Sequence, residues 1–201
     1  YVRSTGFRAL HDALGGEGMS VARLARAARR AGSDRAAFDS ACGELLSRAA
    51  APHPAGFVTL DWVCWRAAPE AVSLRALIRL LTAVSARPFG PRLKRVERLS
   101  ESLRAAYPAR AVTLGGCRII PRRGALLICR EPGAAEAALT LKPGERRLWD
   151  NRYRVHVPRR AEFRGACTLG KLGSDGIAAL RRTMADGGRA LETIPAPARP
   201  A

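Results

Sequence analysis

From position 21 onward the small and apolar residues Leu24, Ala28, Ala31, Phe38, Cys42, Leu45 and Ala49 recur at alternating steps of three and four, the spacing of one helix face. Only Arg35 interrupts the stripe, and Ser20 stands where a helix cap belongs. The phase survives Gly32, so the pattern predicts one long helix to about Ala50, with Gly32 the place for any kink. Pro52, His53, Pro54 and Gly56 break the pattern, and Phe57-Val58-Thr59-Leu60 predicts a short extended segment before Asp61. A second helix is expected next. Pro69 suits its first turn, Leu74, Leu77, Ile78, Leu81 and Val84 line one face, and Arg87-Pro88 stops it. Beyond the turn Pro88-Phe89-Gly90-Pro91, helical spacing returns at Leu93, Val96, Leu99 and Leu103.

After Tyr107-Pro108 the period changes from that of a helix to that of a strand. Val112-Thr113-Leu114 and Cys117-Arg118-Ile119-Ile120 read as strand, and Ala125 to Cys129 as a partner across Pro121-Arg122-Arg123-Gly124. A second hairpin is expected around Asp150-Asn151, between Leu148-Trp149 and Tyr153 to Val157. Gly176 to Met184 predicts a closing helix, and Pro195 to Ala201 a frayed end. The expected fold class is therefore α+β, with a helical unit over residues 1–105 followed by a small, basic, β-rich domain over residues 106–201.

Composition turns this fold toward a partner. The 201 residues are 47% hydrophobic, enough for a core, yet carry a net charge of +18. Like charges oppose compaction, so a polyanion, RNA or DNA, is the economical explanation. Arginine supplies 32 of the 35 bases, as a GC-rich genome would favour. That bias exchanges Lys for Arg but does not create an excess of 35 bases over 17 acids. The charge is densest from Arg110 to Arg160, with 12 bases against 4 acids.

Guanidinium groups pair bidentately with phosphates and stack on bases. The candidate RNA-binding residues are accordingly Arg92, Lys94, Arg95, Arg118, Arg122, Arg123, Arg130, Arg146, Arg147, Arg152 and Arg154. Trp149 and Tyr153 stand among them as candidate stacking platforms, although a strand aromatic is more often a core anchor. Arg130-Glu131 has an equally good reading as a strand-end ion pair. Arg23, Arg26, Arg29 and Arg30 lie off the apolar stripe of the long helix, where a solvated face is the default.

No catalytic, cofactor or metal site is read in the chain. His11, His53 and His156 stand at no ligand spacing, and neither a GxSxG nor a glycine-rich phosphate loop with a lysine occurs. Asp150 is expected to be a structural turn residue. Five cysteines without a CxxC pair indicate neither zinc nor a disulfide framework. With no apolar run near the about 20 residues that span a bilayer and no leader, a soluble protein of the reducing cytoplasm with no membrane partner is expected. Because the first residue is Tyr1 and the first methionine Met19, the chain is expected to begin downstream of its natural start.

Several motifs, weak singly, carry a resemblance in their order. They are the helix Val21 to Ala49, the run Leu74 to Leu81, Arg87-Pro88-Phe89-Gly90-Pro91-Arg92, Thr113-Leu114-Gly115-Gly116-Cys117-Arg118, Ile128-Cys129-Arg130-Glu131-Pro132 and Trp149-Asp150-Asn151-Arg152-Tyr153. Together they resemble the region after the PP-loop ATPase domain of bacterial tRNA(Ile)-lysidine synthetases, especially the alphaproteobacterial branch. The resemblance implies an ATP- and Mg-dependent ligase that adenylates C2 of the wobble cytidine of a tRNA(Ile) with a CAU anticodon, after which lysine displaces AMP. The family's ATP loop, Ser-Gly-Gly-x-Asp-Ser, is absent from this sequence, and Gly173-Ser174-Asp175 is no substitute. What the resemblance implies here is thus tRNA binding on behalf of a catalytic N-terminal domain, with no cofactor held by this chain itself. The alternative from another class is a protein-interaction module whose long, heptad-spaced helix forms a homodimer.

Overall fold

The structure is a computed structural model that describes residues 21–159, 165–171, 173 and 178. The expected closing helix at Gly176 to Met184, apart from Ala178, lies outside them, as do the Ser20 cap and the Pro195–Ala201 end. The chain divides into two compact units, Tyr1–Ala41 and Cys42–Ala201.

Helix α1, Val21–Ala49, is continuous through Gly32, as its unbroken phase predicted. Its stripe is used unevenly. Cys42, Leu45 and Ala49 are buried, whereas Ala28 and Ala31 are exposed. In the second unit, β1 (Ala50–Pro52) and β2 (Val58–Asp61) follow, then α2 (Trp62–Ala67), α3 (Glu70–Ser85) and α4 (Leu93–Ala105). The short helix α2 starts because the Asp61 carboxylate accepts from the Cys64 N–H at 2.9 Å, a side-chain N-cap. Pro69 stands one residue before α3 rather than inside it. Helix α3 ends where Ala86 turns left-handed (φ 49°), just before Arg87-Pro88.

Three short turns build the β part: the two-residue turns Gly115-Gly116 between β3 (Val112–Leu114) and β4 (Cys117–Arg122) and Arg123-Gly124 between β4 and β5 (Ala125–Arg130), and the three-residue turn Asp150-Asn151-Arg152 between β7 (Arg146–Trp149) and β8 (Tyr153–His156). In the two-residue turns both residues have positive φ, between 49° and 84°, the type I′ geometry whose twist matches antiparallel strands, and Asp150 and Asn151 of the third turn also have positive φ, 55° and 52°. The first hairpin turn is therefore tighter than the four residues expected, and β4 runs on through Pro121 and Arg122. A further pair, β6 (Leu139–Leu141) with β9 (Cys167–Leu169), has no counterpart in the sequence pattern read above.

The main sheet is antiparallel with order β1-β2-β5-β4-β3. Its central strand β5 is buried on both faces at Leu126, Leu127, Ile128 and Cys129, hence an unbroken apolar run instead of an alternation. Residues on either side of the expected boundary at Ala105 share this sheet, since Val58 pairs with Ile128 and Leu60 with Leu126. The helical and β-rich parts so meet in one core, and the compact units divide between Ala41 and Cys42. Helix α3 packs on the sheet through Ala76, Leu77, Leu80, Leu81 and Val84, while Leu74 and Ile78, expected on the same face, are half-buried. In α4 the predicted Val96, Leu99 and Leu103 are buried, but Leu93 is exposed.

Burial pushes the Cys117 thiol up to about 12, against the lowering effect of Arg130, and raises Cys129 as well. Their thiolates, the reactive form, are disfavoured at neutral pH. Alkylation of the folded chain at pH 8, read by peptide mapping, should leave Cys117 and Cys129 unlabelled until denaturant is added. Labelling of either without denaturant contradicts this packing.

Candidate nucleic-acid interface

The arginines singled out in the sequence meet two different fates. Arg130 and Arg152 turn inward. Asp150 is buried, its side chain 2% exposed, and its carboxylate accepts from Arg130 at 2.5 Å and from the Glu136 N–H at 3.2 Å. Arg152 lies 3.7 Å from the other carboxylate oxygen. Arg130 also donates to the carbonyls of Ser85 and Ala134, and Arg152 to that of Gly56. With side chains 12% and 13% exposed, both cations are engaged inside the chain, unlike the other arginines placed among the RNA candidates. Arg130 pairs with Asp150, not with the adjacent Glu131 as one reading of the sequence had it. Asp150 is the structural turn residue expected, although for a reason no local pattern gives.

Trp149 is a core anchor. It is buried and donates through Nε1 to the Ala137 carbonyl at 3.0 Å. Tyr153 is half-buried, stacks near Trp149 at 5.9 Å between centroids, and donates its hydroxyl to the Ala55 carbonyl, with the Arg152 guanidinium over its ring. Neither is a free stacking platform. Gly56 is demanded at their feet, because its φ is 81° and a β-carbon there would fall 1.8 Å from Arg152 Nη2.

A cleft beside this network, lined by Phe57, Arg130, Asp150, Arg152 and Tyr153 among others, has an interior volume of about 60 Å³. That is room for a water or two, far below the roughly 300 Å³ at which small-molecule sites begin.

The remaining candidates, Arg118 apart, are exposed. In the β7–β8 hairpin Arg146 opposes His156 and Leu148 opposes Arg154, so strand alternation sets these four on one face and Arg147, Trp149, Tyr153 and Val155 on the other. The second face is the inward one at Trp149. On the first, Arg146, Leu148, Arg154 and His156 are all exposed and line a shallow, open concavity, with Arg147 and Val155 at its sides. The β4–β5 hairpin carries a second cationic point: Arg122 ends β4 and Arg123 forms the tip, both exposed. Arg118, on β4 opposite Cys129, is half-buried. Arg92, Lys94 and Arg95 are exposed at the start of α4. Leu148 and His156 were missed as members of the hairpin face, yet the period-2 alternation from Arg146 to Trp149 and from Tyr153 to His156 could have found them.

Against known proteins the chain shows one kind of likeness. It is similar to enzymes that act on tRNA. Over 128 residues it is 39% identical to a tRNA(Ile)-lysidine synthase of Methylobacterium sp. (strain 4-46), and over 129 residues 37% identical to the tRNA(Ile)-lysidine synthase of Methylobacterium nodulans. Each match covers 59% of this chain but only 36% and 37% of the relative, so the chain spans about a third of the length of the curated relatives it matches. The ordered motifs thus pointed to these same relatives, and 59% of the chain is similar to a part of tRNA(Ile)-lysidine synthases. No family profile matches the chain, and no solved structure does.

Proposed function

We propose that this chain is the tRNA-binding, C-terminal part of a tRNA(Ile)-lysidine synthase, the enzyme that uses ATP to join lysine to C2 of the wobble cytidine in a CAU anticodon. The observation that carries the reading is the exposed cationic face of the β7–β8 hairpin, where Arg146 and Arg154 stand with no acidic residue beside them on their strands. Phosphate contacts from such a face set register and affinity, and the identity of the tRNA is read from shape and from unpaired bases. The ATP and its Mg belong on this reading to the enzyme's N-terminal catalytic domain, because the Ser-Gly-Gly-x-Asp-Ser loop is absent from this sequence. The partners proposed are tRNA(Ile) and the enzyme's own N-terminal catalytic domain. Among the described residues no helix is long and apolar enough to cross a membrane.

Retardation of a tRNA transcript by the chain, measured across salt concentrations, tests the reading. Binding that weakens steeply with salt is expected. Loss of the exposed pair Arg122 and Arg123 together should weaken it and lower the slope by up to about 1.8, at about 0.7–0.9 per phosphate contact. A chain that shifts no tRNA at low salt and sediments as a dimer would instead be a helical interaction module.

A further inference from the structure

The linker between α3 and α4 holds a feature that tRNA binding by the arginines leaves unexplained. Phe89 is 83% exposed and Leu93, one turn further on, is 56% exposed, the two most solvent-exposed large apolar residues of this segment. Nothing in the local fold requires an apolar side chain at a turn tip, where a polar one would serve. Four cations, Arg87, Arg92, Lys94 and Arg95, stand within six residues of Phe89 with no acidic residue among them, and all four are exposed.

The linker is also clamped from below. Gly90 lies against α3, where a β-carbon would approach Thr82 Oγ1 to 3.0 Å. Pro91 sits on the β3–β4 turn so closely that a β-carbon on Gly115 would stand 2.9 Å from its Cβ. The Arg87 side chain covers Gly116, at 3.1 Å from a β-carbon there. The turn is itself pinned, because the Glu131 N–H donates to the Gly116 carbonyl at 2.8 Å. Two prolines, Pro88 and Pro91, fix φ on either side of the tip. The segment therefore offers an aromatic ring on a rigid base within a cationic rim, so little conformational freedom is lost when a flat partner lands on it.

Resting on the tRNA-binding reading above, we infer that Phe89 is a stacking platform for an unpaired nucleobase, with Arg87, Arg92, Lys94 and Arg95 holding the adjoining phosphates. Every base has a π-face, so an aromatic ring takes an unpaired nucleotide without sequence preference, while a duplex, whose bases are already stacked, gains little from it. The arginines supply the salt-dependent part of the affinity and the ring the salt-independent part.

Binding of the chain to three probes separates the possibilities: a tRNA transcript, a 12-nucleotide single-stranded RNA and a 12-base-pair RNA duplex, each about a turn of A-form helix or its unpaired equivalent. Phe89→Ala should weaken the tRNA and the single strand about tenfold, leave the duplex unchanged and leave the salt slope unchanged. Phe89→Trp should restore the affinity, and its added indole emission should fall on binding. Because the residue is exposed, both variants should unfold at the wild-type denaturant concentration. If the wild type binds tRNA and Phe89→Ala binds all three probes equally well, the platform is overturned and tRNA binding stands. If Phe89→Ala weakens the duplex as much as the single strand, the ring is not stacking on a base and the inference also fails. If the wild type binds none of the probes, both readings fall together.

Discussion

Replacing Asp150 by alanine should destabilise the second unit by about 3–5 kcal/mol, the usual cost of removing one partner from a buried ion pair. The effect is large because the carboxylate serves two guanidinium groups. Arg130 and Arg152 are both almost wholly removed from solvent, and Asp150 is the acid both reach. Without it each cation keeps only uncharged partners, the carbonyls of Ser85 and Ala134 for Arg130, and the Gly56 carbonyl and Tyr153 hydroxyl for Arg152. The Arg130 Nε is already buried without a partner, so little spare hydrogen bonding remains to absorb the loss. A domain of this size has only about 5–15 kcal/mol of stability in all, so urea unfolding followed by tryptophan emission should move to a far lower midpoint. The exposed Arg146→Ala should fall within about 0.5 kcal/mol of wild type in the same titration. A change below 1 kcal/mol for Asp150→Ala would show that the network is not what ties the β7–β8 hairpin to the sheet.

That network also explains why scattered motifs resembled one family. Arg87 covers Gly116, Gly116 accepts from Glu131, Arg130 reaches Asp150, and Asp150 shares Arg152 with Gly56. Motifs spread from residue 87 to residue 152 are thus successive links of one contact chain. Each was weak alone because the physical constraint lies between motifs and not within any of them.

How much could be read from the sequence follows from the range of the interaction involved. Helix α3 was legible because Leu77, Leu81 and Val84 repeat at the helical period, and its end because Arg87-Pro88 excludes helical backbone. The hairpins were legible because their turns use residues that tolerate positive φ. The edge strand β1 was not, since Ala50-Ala51-Pro52 has no strand propensity and is extended only through pairing with β2. Helix α2 had a local signal in the Asp61 cap that went unused. The fates of the arginines were the least legible. Arg152 and Arg154 are two residues apart and chemically identical, yet one donates to Gly56 across 96 residues of chain and the other is exposed. Only the long-range partner distinguishes them. For Arg154 the partner, a phosphate on the proposed reading, lies outside the chain.

That difference gives the second large effect. With Arg146 and Arg154 both changed to alanine, tRNA affinity at moderate salt should fall about 10- to 100-fold, the loss of two charge-assisted hydrogen bonds partly screened by solvent. The two residues stand on one face in diagonal register, Arg146 opposite His156 and Arg154 opposite Leu148. At that separation, about 7–8 Å, they reach neighbouring phosphates of one strand and not a single one. The slope of log affinity against log salt should therefore drop by about 1.4–1.8, twice the value for one contact. Folding should be untouched, because neither side chain is buried. Arg66→Ala with Arg98→Ala, which removes two exposed cations outside that face, controls for the loss of net charge alone and should leave the slope unchanged. An equal drop in the control and the hairpin variant would mean that the +18 charge attracts tRNA as a whole and that the hairpin is not a contact surface. A drop confined to the hairpin variant would assign the phosphate contacts to the face that strand alternation builds.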